Sequence, residues 1–170
     1  MKNEENFYFA SSDIAGIHFK IYSSHKGIVK ILLNKKEGTL KGRNQTNLHT
    51  DDPFMFNVFS ELEEYFGLTR KSFDVPLDIR GTDFQKNVWN ELLNIPFGKT
   101  VSYKFIAKKL GDENAIRAVG RANGANPIPV IIPCHRVING DGSLGGYSGG
   151  LQIKEKLLKL EGSLPPGLFE

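Results

Sequence analysis

The chain has 170 residues, 39% hydrophobic and 24% charged, with a net charge of +3 and a single cysteine. That content supports a packed core in one large or two small domains and excludes wholesale disorder. No apolar run approaches the roughly 20 residues that span a bilayer, the acidic start over residues 1–5 is not read as a secretory signal, and one cysteine excludes an intramolecular disulfide and a multi-cysteine zinc site.

Residues 17–22 (IHFKIY) alternate apolar and more polar side chains with period two, and residues 28–33 form a second, more apolar run; both are expected to be strands. Residues 34–50 are polar and are read as a loop. Asp52 and Pro53 open a helix as cap and first helical residue. Met55, Phe59, Leu62 and Phe66 then recur at helical spacing, and Gly67 is expected to stop it. His18, His25 and His49 are scattered and are read as surface or structural. Residues 68–81, with Pro76 and Gly81, read as a linker.

A capping box at Thr82 and Gln85 begins the second unit. Phe84, Val88, Trp89, Leu92 and Leu93 are expected on one face of the helix it opens, which residues 96–98 (PFG) end. A second helix starts near Ser102 and carries Phe105, Ile106 and Leu110. Residues 111–114 (GDEN) make a short turn with several candidate caps, and a third helix follows with Ile116, Val119 and Gly120 on one side. Two short helices joined by a tight turn suggest a helix-turn-helix. A last helix runs from about Leu151 to Glu161 with Gly162 as its stop, and residues 164–167 (LPPG) cannot continue it. Residues 1–83 carry 11 basic and 12 acidic side chains and residues 84–170 carry 11 and 7; the basic skew of the second half is compatible with a phosphate backbone as partner and equally with a solvated face.

The third helix is rich in small residues: Ala118, Gly120, Ala122, Gly124 and Ala125. Each interior glycine costs a helix about 1 kcal/mol relative to alanine, which close helix packing or close approach to a ligand backbone would offset. Arg117 and Arg121, four apart, share a face that could meet phosphates. The apolar, proline-stiffened segment 127–133 (PIPVIIP) then delivers Cys134 beside His135 and Arg136. The thiolate is the reactive form of cysteine and is favoured by a neighbouring base or positive charge; the alternative is an inert core thiol. Glu161 lies beside the stripe Ile153, Leu157, Leu160. Its carboxylate either turns inward toward a partner such as His135, giving a nucleophile, base and orienting-acid series, or stays exposed at the helix end. The glycine-rich run 139–150 lacks the Gly-Lys-Ser/Thr ending of a nucleotide-binding loop.

At Pro133-Cys134-His135-Arg136-Val137 the chain resembles the O6-alkylguanine-DNA alkyltransferase family. The resemblance continues through GKTVSYKFIA at 98–107, RAVG at 117–120, Asn126-Pro127, YSGGL at 147–151 and Glu161-Gly162. It covers about residues 82–162, with a weaker likeness of layout over 1–80. It implies an α+β fold with a ribonuclease-H-like sheet-plus-helix domain over residues 1–80. A helical, winged-helix-like domain with a helix-turn-helix, binding DNA and accepting the alkyl group, would fill 81–170. It implies DNA repair: direct, irreversible, single-turnover transfer of an alkyl group from O6-alkylguanine to Cys134. His135 would act as base through a water, Glu161 would orient it, Tyr103 would help protonate the guanine, and Asn126 would brace the turn to the active site. The Val137 and Cys134 carbonyls would read the exocyclic amine, the Ser148 amide would contact O6, and Tyr147 would wall the pocket. Arg117 would intercalate where the base is flipped out.

The same resemblance implies that the partner is double-stranded DNA containing O6-alkylguanine, entered through the minor groove by Ser102, Tyr103, Arg117, Ala118, Gly120, Arg121, Ala122 and Asn123. Arg121 and Asn123 stand where other members can have different residues, which bears on groove contacts and alkyl preference. No cofactor and no metal are implied, since the cysteines of the zinc site that some members carry are missing here. A monomer without membrane attachment is expected, cytoplasmic, or nuclear in a eukaryote. The competing readings are a lesion-binding helix-turn-helix module without alkyl transfer, and a cysteine hydrolase, for which no clear second oxyanion donor is present.

Overall fold

Strand β2 (Ile17–Ser24) lies between β1 (Phe7–Ile14) and β3 (Gly27–Leu33), antiparallel to both, and a three-residue strand β4 (Gln45–Asn47) adds in parallel to the far side of β1. These coordinates are a computed structural model that describes residues 5–35, 40 and 44–164. The chain divides into two units, residues 1–79 and 80–170. In the first unit, the alternation in β2 buries Ile17, Phe19 and Ile21. Helix α1 (Pro53–Phe66) starts as its sequence dictates, with the Asp52 carboxylate accepting the amides of Phe54 and Met55 and Pro53 at the first position. Its apolar side buries Met55, Val58, Leu62 and Tyr65, and Phe66 meets Phe19 edge-on at 6.0 Å.

Two expectations for this unit change, and a third holds with a different turn. Residues 45–47, inside the expected loop, form a strand, because β4 is held by backbone pairing and needs no apolar side chains. Gly67 does end α1 as its C-cap, but at an ordinary φ of −80°, and it is Leu68 that turns left-handed, at φ +60°. The turn is closed by the Thr69 amide on the Glu64 carbonyl at 2.9 Å. Nor are residues 75–78 linker. Ile28 N–H donates to the Pro76 carbonyl at 2.9 Å, Asp78 N–H returns to the Ile28 carbonyl at 2.8 Å, and Val75 is buried. Gly27 permits this edge contact: its φ is +145° and a Cβ there would lie 2.3 Å from the Pro76 oxygen.

In the second unit, both halves of the Thr82–Gln85 capping box are made at the start of α2 (Asp83–Leu93). The buried stripe of α2 is narrower than expected: Val88, Trp89 and Leu92 are inside, while Phe84 and Leu93 face solvent. Helix α3 (Tyr103–Lys109) is capped by Ser102, whose hydroxyl accepts the Phe105 amide, and it buries Ile106 and Ala107 but leaves Phe105 exposed. Helix α4 (Ile116–Gly124) follows after a tight turn and packs on α2 and α3, completing the helix-turn-helix. Its N-terminus has no side-chain cap; Asp112 instead accepts the Asn114 amide within the turn, and Ile116 is exposed. Trp89 anchors α4 to α2 by donating from Nε1 to the Ala122 carbonyl at 2.8 Å. A two-residue parallel ladder joins β5 (Val101–Ser102), just before α3, to β6 (Val137–Ile138), just after the Cys134–Arg136 turn. Helix α5 (Leu151–Leu160) buries Ile153, Lys154, Leu157 and Leu158, and Leu160, expected inside, is only half-buried. Gly162 at φ +67° ends it. Of the tail at 164–167, residues 165–167 lie outside the described residues.

Gly27→Ala should strain the 27–28 and 76–78 contact and lower unfolding free energy by roughly 2 kcal/mol or more. Urea denaturation of the purified variant against the parent measures it.

Candidate active site

The segment that delivers Cys134 is locked by Asn126. Its Nδ2 donates to the Ile132 carbonyl at 2.8 Å and its Oδ1 accepts the Ile128 amide at 3.0 Å. Between these anchors Val130 sits at φ +76°, a conformation that costs a β-branched residue on the order of 1–3 kcal/mol. Full burial of Val130 and of its neighbours Ile128 and Ile132 offsets that cost. The chain then enters a single 3₁₀ turn, Cys134–Arg136, in which the Cys134 amide donates to the Ile132 carbonyl at 2.8 Å. Cys134 is 1% exposed. Burial pushes its thiol up to about 11, against the opposing pull of a hydrogen bond with the Asn126 side chain, the charge of Lys154 and nearby backbone amides.

His135 and Glu161 meet at 2.9 Å, Nε2 to Oε1, with both side chains closed to solvent. The same carboxylate accepts from Arg136 Nε at 3.0 Å and Nη2 at 2.9 Å and from the Gly98 amide at 3.1 Å. Burial alone would raise the Glu161 carboxyl, but hydrogen bonds from His135 and Arg136 outweigh it and hold the group at about 2. Burial lowers His135 below its ordinary value, and the attraction of Glu161 only partly reverses this. The two shifts fit one charge state. Arg136 neutralises the carboxylate, so the imidazole need not be charged. A neutral ring facing a carboxylate through Nε2 must carry its proton there, which leaves Nδ1 as the lone-pair nitrogen. Nδ1 is buried and has no hydrogen-bond partner among the described residues.

Arg136 therefore acts elsewhere than its place in the sequence suggests. It is turned onto Glu161 and the Ile95 carbonyl, the latter at 2.6 Å, with Phe97 beneath its guanidinium. Sequence reasoning missed this pairing because 25 residues separate the partners. It also missed Gly98, whose φ of +75° lets its amide face Glu161. Lys154 is the third omission. It is wholly buried, with Nζ on the carbonyls of Val137 at 2.7 Å, Leu144, and Gly146 at 3.3 Å. Its position between Ile153 and Leu157 on the apolar side of α5 was the available signal.

Tyr103, the first residue of α3, is half-buried, and burial together with the charge of Cys134 raises its phenol, so it keeps its proton at neutral pH. A Cβ on Gly145 would lie 3.1 Å from the Tyr103 hydroxyl, so the 139–150 loop passes close to Tyr103 only because residue 145 is glycine. Val137 is buried, Tyr147 half-buried and Ser148 exposed. On α4, Arg117 and Arg121 are exposed and Ala118 and Gly120 half-buried. Ala122 and Asn123, expected at the groove, instead face the interior of the unit: the Ala122 carbonyl holds Trp89 and Asn123 Nδ2 donates to the Cys134 carbonyl at 3.4 Å. Ser102 is half-buried, its hydroxyl engaged as the α3 cap. Among the described residues no group of three or more His, Cys, Asp or Glu is placed to hold a metal ion. No helix there is long and apolar enough to cross a membrane.

Comparison with known proteins gives two family matches that follow one another along the chain. Residues 18–79 match the ribonuclease-like domain of 6-O-methylguanine DNA methyltransferase, and residues 83–163 match its DNA binding domain. A methylated-DNA-protein-cysteine methyltransferase of Methanosarcina acetivorans is 45% identical over 156 residues, 86% of this chain and 99% of that protein. The crystal structure of the Mycobacterium tuberculosis O6-methylguanine methyltransferase superposes with a TM-score of 0.83 at 37% identity, covering 95% of this chain and 96% of that one. The M. tuberculosis protein in complex with DNA superposes at 0.78 with 39% identity, again over 95% and 96%.

The charge state gives a pH dependence. Glu161 is held below its unfolded value, so its stabilisation is complete above about pH 4.5 and is lost as pH falls toward 2. His135 is also depressed, so the unfolded chain takes up its proton first and stability falls from about pH 6.5 downward. Unfolding free energy should decline through both windows. Glu161→Gln should erase the lower limb and cost roughly 3–5 kcal/mol at pH 7 by leaving Arg136 buried without its counter-charge. Chemical denaturation from pH 2.5 to 8 measures both.

Proposed function

The chain belongs to the 6-O-methylguanine DNA methyltransferase family, and from that premise we infer that it repairs DNA by moving an alkyl group from O6-alkylguanine onto Cys134. The observation that carries this is the buried, unpartnered Nδ1 of His135, a neutral base presented beside the chain's only thiol. A thiol held near 11 is ionised in only on the order of one molecule in ten thousand at pH 7. A base that takes the proton as the sulfur attacks is then what the chemistry requires. A lesion-binding module without transfer would have no use for this assembly.

In the reaction, Cys134 Sγ attacks the alkyl carbon opposite O6, and the carbon–sulfur bond forms as the carbon–oxygen bond breaks. The bonding pair stays with guanine, and the Tyr103 hydroxyl, still protonated, offers a hydrogen to that negative charge. The thiol proton passes through a water to His135 Nδ1, and Glu161 steadies the ring through Nε2. Asn126 braces the segment behind the thiol. The carbonyls of Val137 and Cys134 read the exocyclic amine, the Ser148 amide reaches O6, and Tyr147 walls the pocket. The thioether does not hydrolyse, so each molecule acts once, and no cofactor takes part.

The partner is DNA. Ser102, Tyr103, Arg117, Ala118, Gly120 and Arg121 meet the duplex in its minor groove, Arg117 filling the space of the flipped base. Ala122 and Asn123 support this surface from within. Residues 1–80 and 81–170 act as separate domains, the second holding both DNA and acceptor, and the protein works as a cytoplasmic monomer, or in the nucleus of a eukaryote.

Incubation with a duplex carrying one radiolabelled O6-methylguanine should transfer at most one label per chain, and Cys134→Ala should accept none while still binding DNA. Repeated turnover, or label on another residue, would sink the reading. Arg117→Ala should slow transfer from duplex at least tenfold more than transfer from a free O6-alkylguanine base, since its task is extrusion of the base. Equal losses on the two substrates would remove that role.

A further inference from the structure

Two cations are buried in the second unit, and they differ in one respect. Arg136 faces Glu161 and is neutralised by it. Among the described residues Lys154 has no carboxylate partner: its ammonium meets three carbonyls, those of Val137, Leu144 and Gly146. Three acceptors match the three N–H bonds of an ammonium. A neutral amine would turn a lone pair on one of those oxygens, so the cage favours the charged form. A buried charge without a counter-ion is costly, and natural cores rarely keep one without a use for it. The carbonyls come from β6 and from the loop over residues 139–150, which follow Cys134 directly in the chain. The acidic group this charge acts on is the Cys134 thiol: the ammonium draws the thiol downward, and a thiolate there would draw the lysine upward.

We propose that Lys154 is a positioning residue of the alkyl transfer: it pins the Val137 and 144–146 wall of the acceptor pocket, and its uncompensated charge favours the Cys134 thiolate as the sulfur attacks. The inference rests on the repair reading above and adds to it a division of labour. His135 takes the proton, Arg136 keeps Glu161 ionised and His135 neutral, and Lys154 lowers the energy of the sulfur anion. The other titratable groups around the thiol do not supply that charge. Tyr103 from α3 is a neutral phenol, His135 in the same turn is neutral, and Arg136 and Glu161 cancel each other. Burial lowers the lysine to about 8, which leaves it mostly charged at pH 7.

The single cysteine gives a readout that needs neither DNA nor reagent access. With ¹³C-labelled cysteine, the Cβ resonance follows the ionisation of Cys134 alone. As pH rises, Lys154 loses its charge at about 8, well before the thiol titrates at about 11, so the parent resonance should show a small first step at about pH 8 that Lys154→Gln lacks. Single-turnover transfer from an O6-methylguanine duplex at pH 7.5 should fall about tenfold in Lys154→Gln, with DNA affinity unchanged. A folded Lys154→Gln that keeps the first step, or that transfers at the parent's rate, would overturn the proposal. Should that variant fail to melt cooperatively, the parent protein decides alone: a resonance without the step at about pH 8 would overturn the proposal equally. If the parent shows the step but moves no methyl from DNA, the repair reading fails while the coupling of Lys154 to Cys134 stands.

Discussion

Glu161 is a carboxylate closed to solvent, and the chemistry of the site depends on how its charge is met. Arg136 meets it with a paired set of N–H bonds, and the Gly98 amide adds one from the segment between α2 and β5. Because the arginine supplies the countercharge, the histidine on the same carboxylate can remain neutral, with its proton fixed on Nε2 and its other nitrogen open. With a carboxylate and no arginine, the imidazole would have been drawn toward its charged form and could not accept a proton. A base at neutral pH, a protonated thiol at rest and a buried ion pair are thus one arrangement seen from three residues.

The packing of the second unit serves that arrangement. The ladder between β5 and β6 ties the start of α3, where Tyr103 stands, to the residues that follow Cys134. Asn126 holds a turn that Val130 would otherwise leave, and Asn123 reaches from α4 to the Cys134 carbonyl. The helix proposed to lie in the groove is therefore hydrogen-bonded to the residue proposed to react. Its small residues divide between two tasks. Ala122 is consumed by packing under Trp89, while Ala118 and Gly120 lie nearer the surface beside Arg117 and Arg121.

What could be read from the sequence was what is encoded locally. The Asp52 cap, the Thr82–Gln85 box and the glycine that ends α5 each depend on residues a few positions apart, and each is found in the structure. Strand β4 and the edge contact at residues 75–78 were not legible, since backbone groups make them and side-chain pattern does not announce them. Side-chain period also overstated the apolar faces. Phe84, Leu93, Phe105 and Ile116 have the spacing of core residues, but the short helices that carry them have one packed side each. In the site, the motif around Cys134 named the nucleophile and its neighbour, and the apolar stripe of α5 suggested an inward Glu161. The turn of Arg136 away from the thiol and the carbonyl cage of Lys154 depend on contacts across 25 and 17 residues, and no local pattern specifies them.

The protonation state of His135 tests the account most directly. Nitrogen-15 NMR of histidine-labelled protein at pH 7, with the His135 signals assigned by their loss in His135→Gln, distinguishes the two ring nitrogens. The account predicts a neutral ring with its proton on Nε2 and a lone-pair nitrogen at Nδ1. An imidazolium, or a proton on Nδ1, would contradict it, because no base would then stand ready beside Cys134.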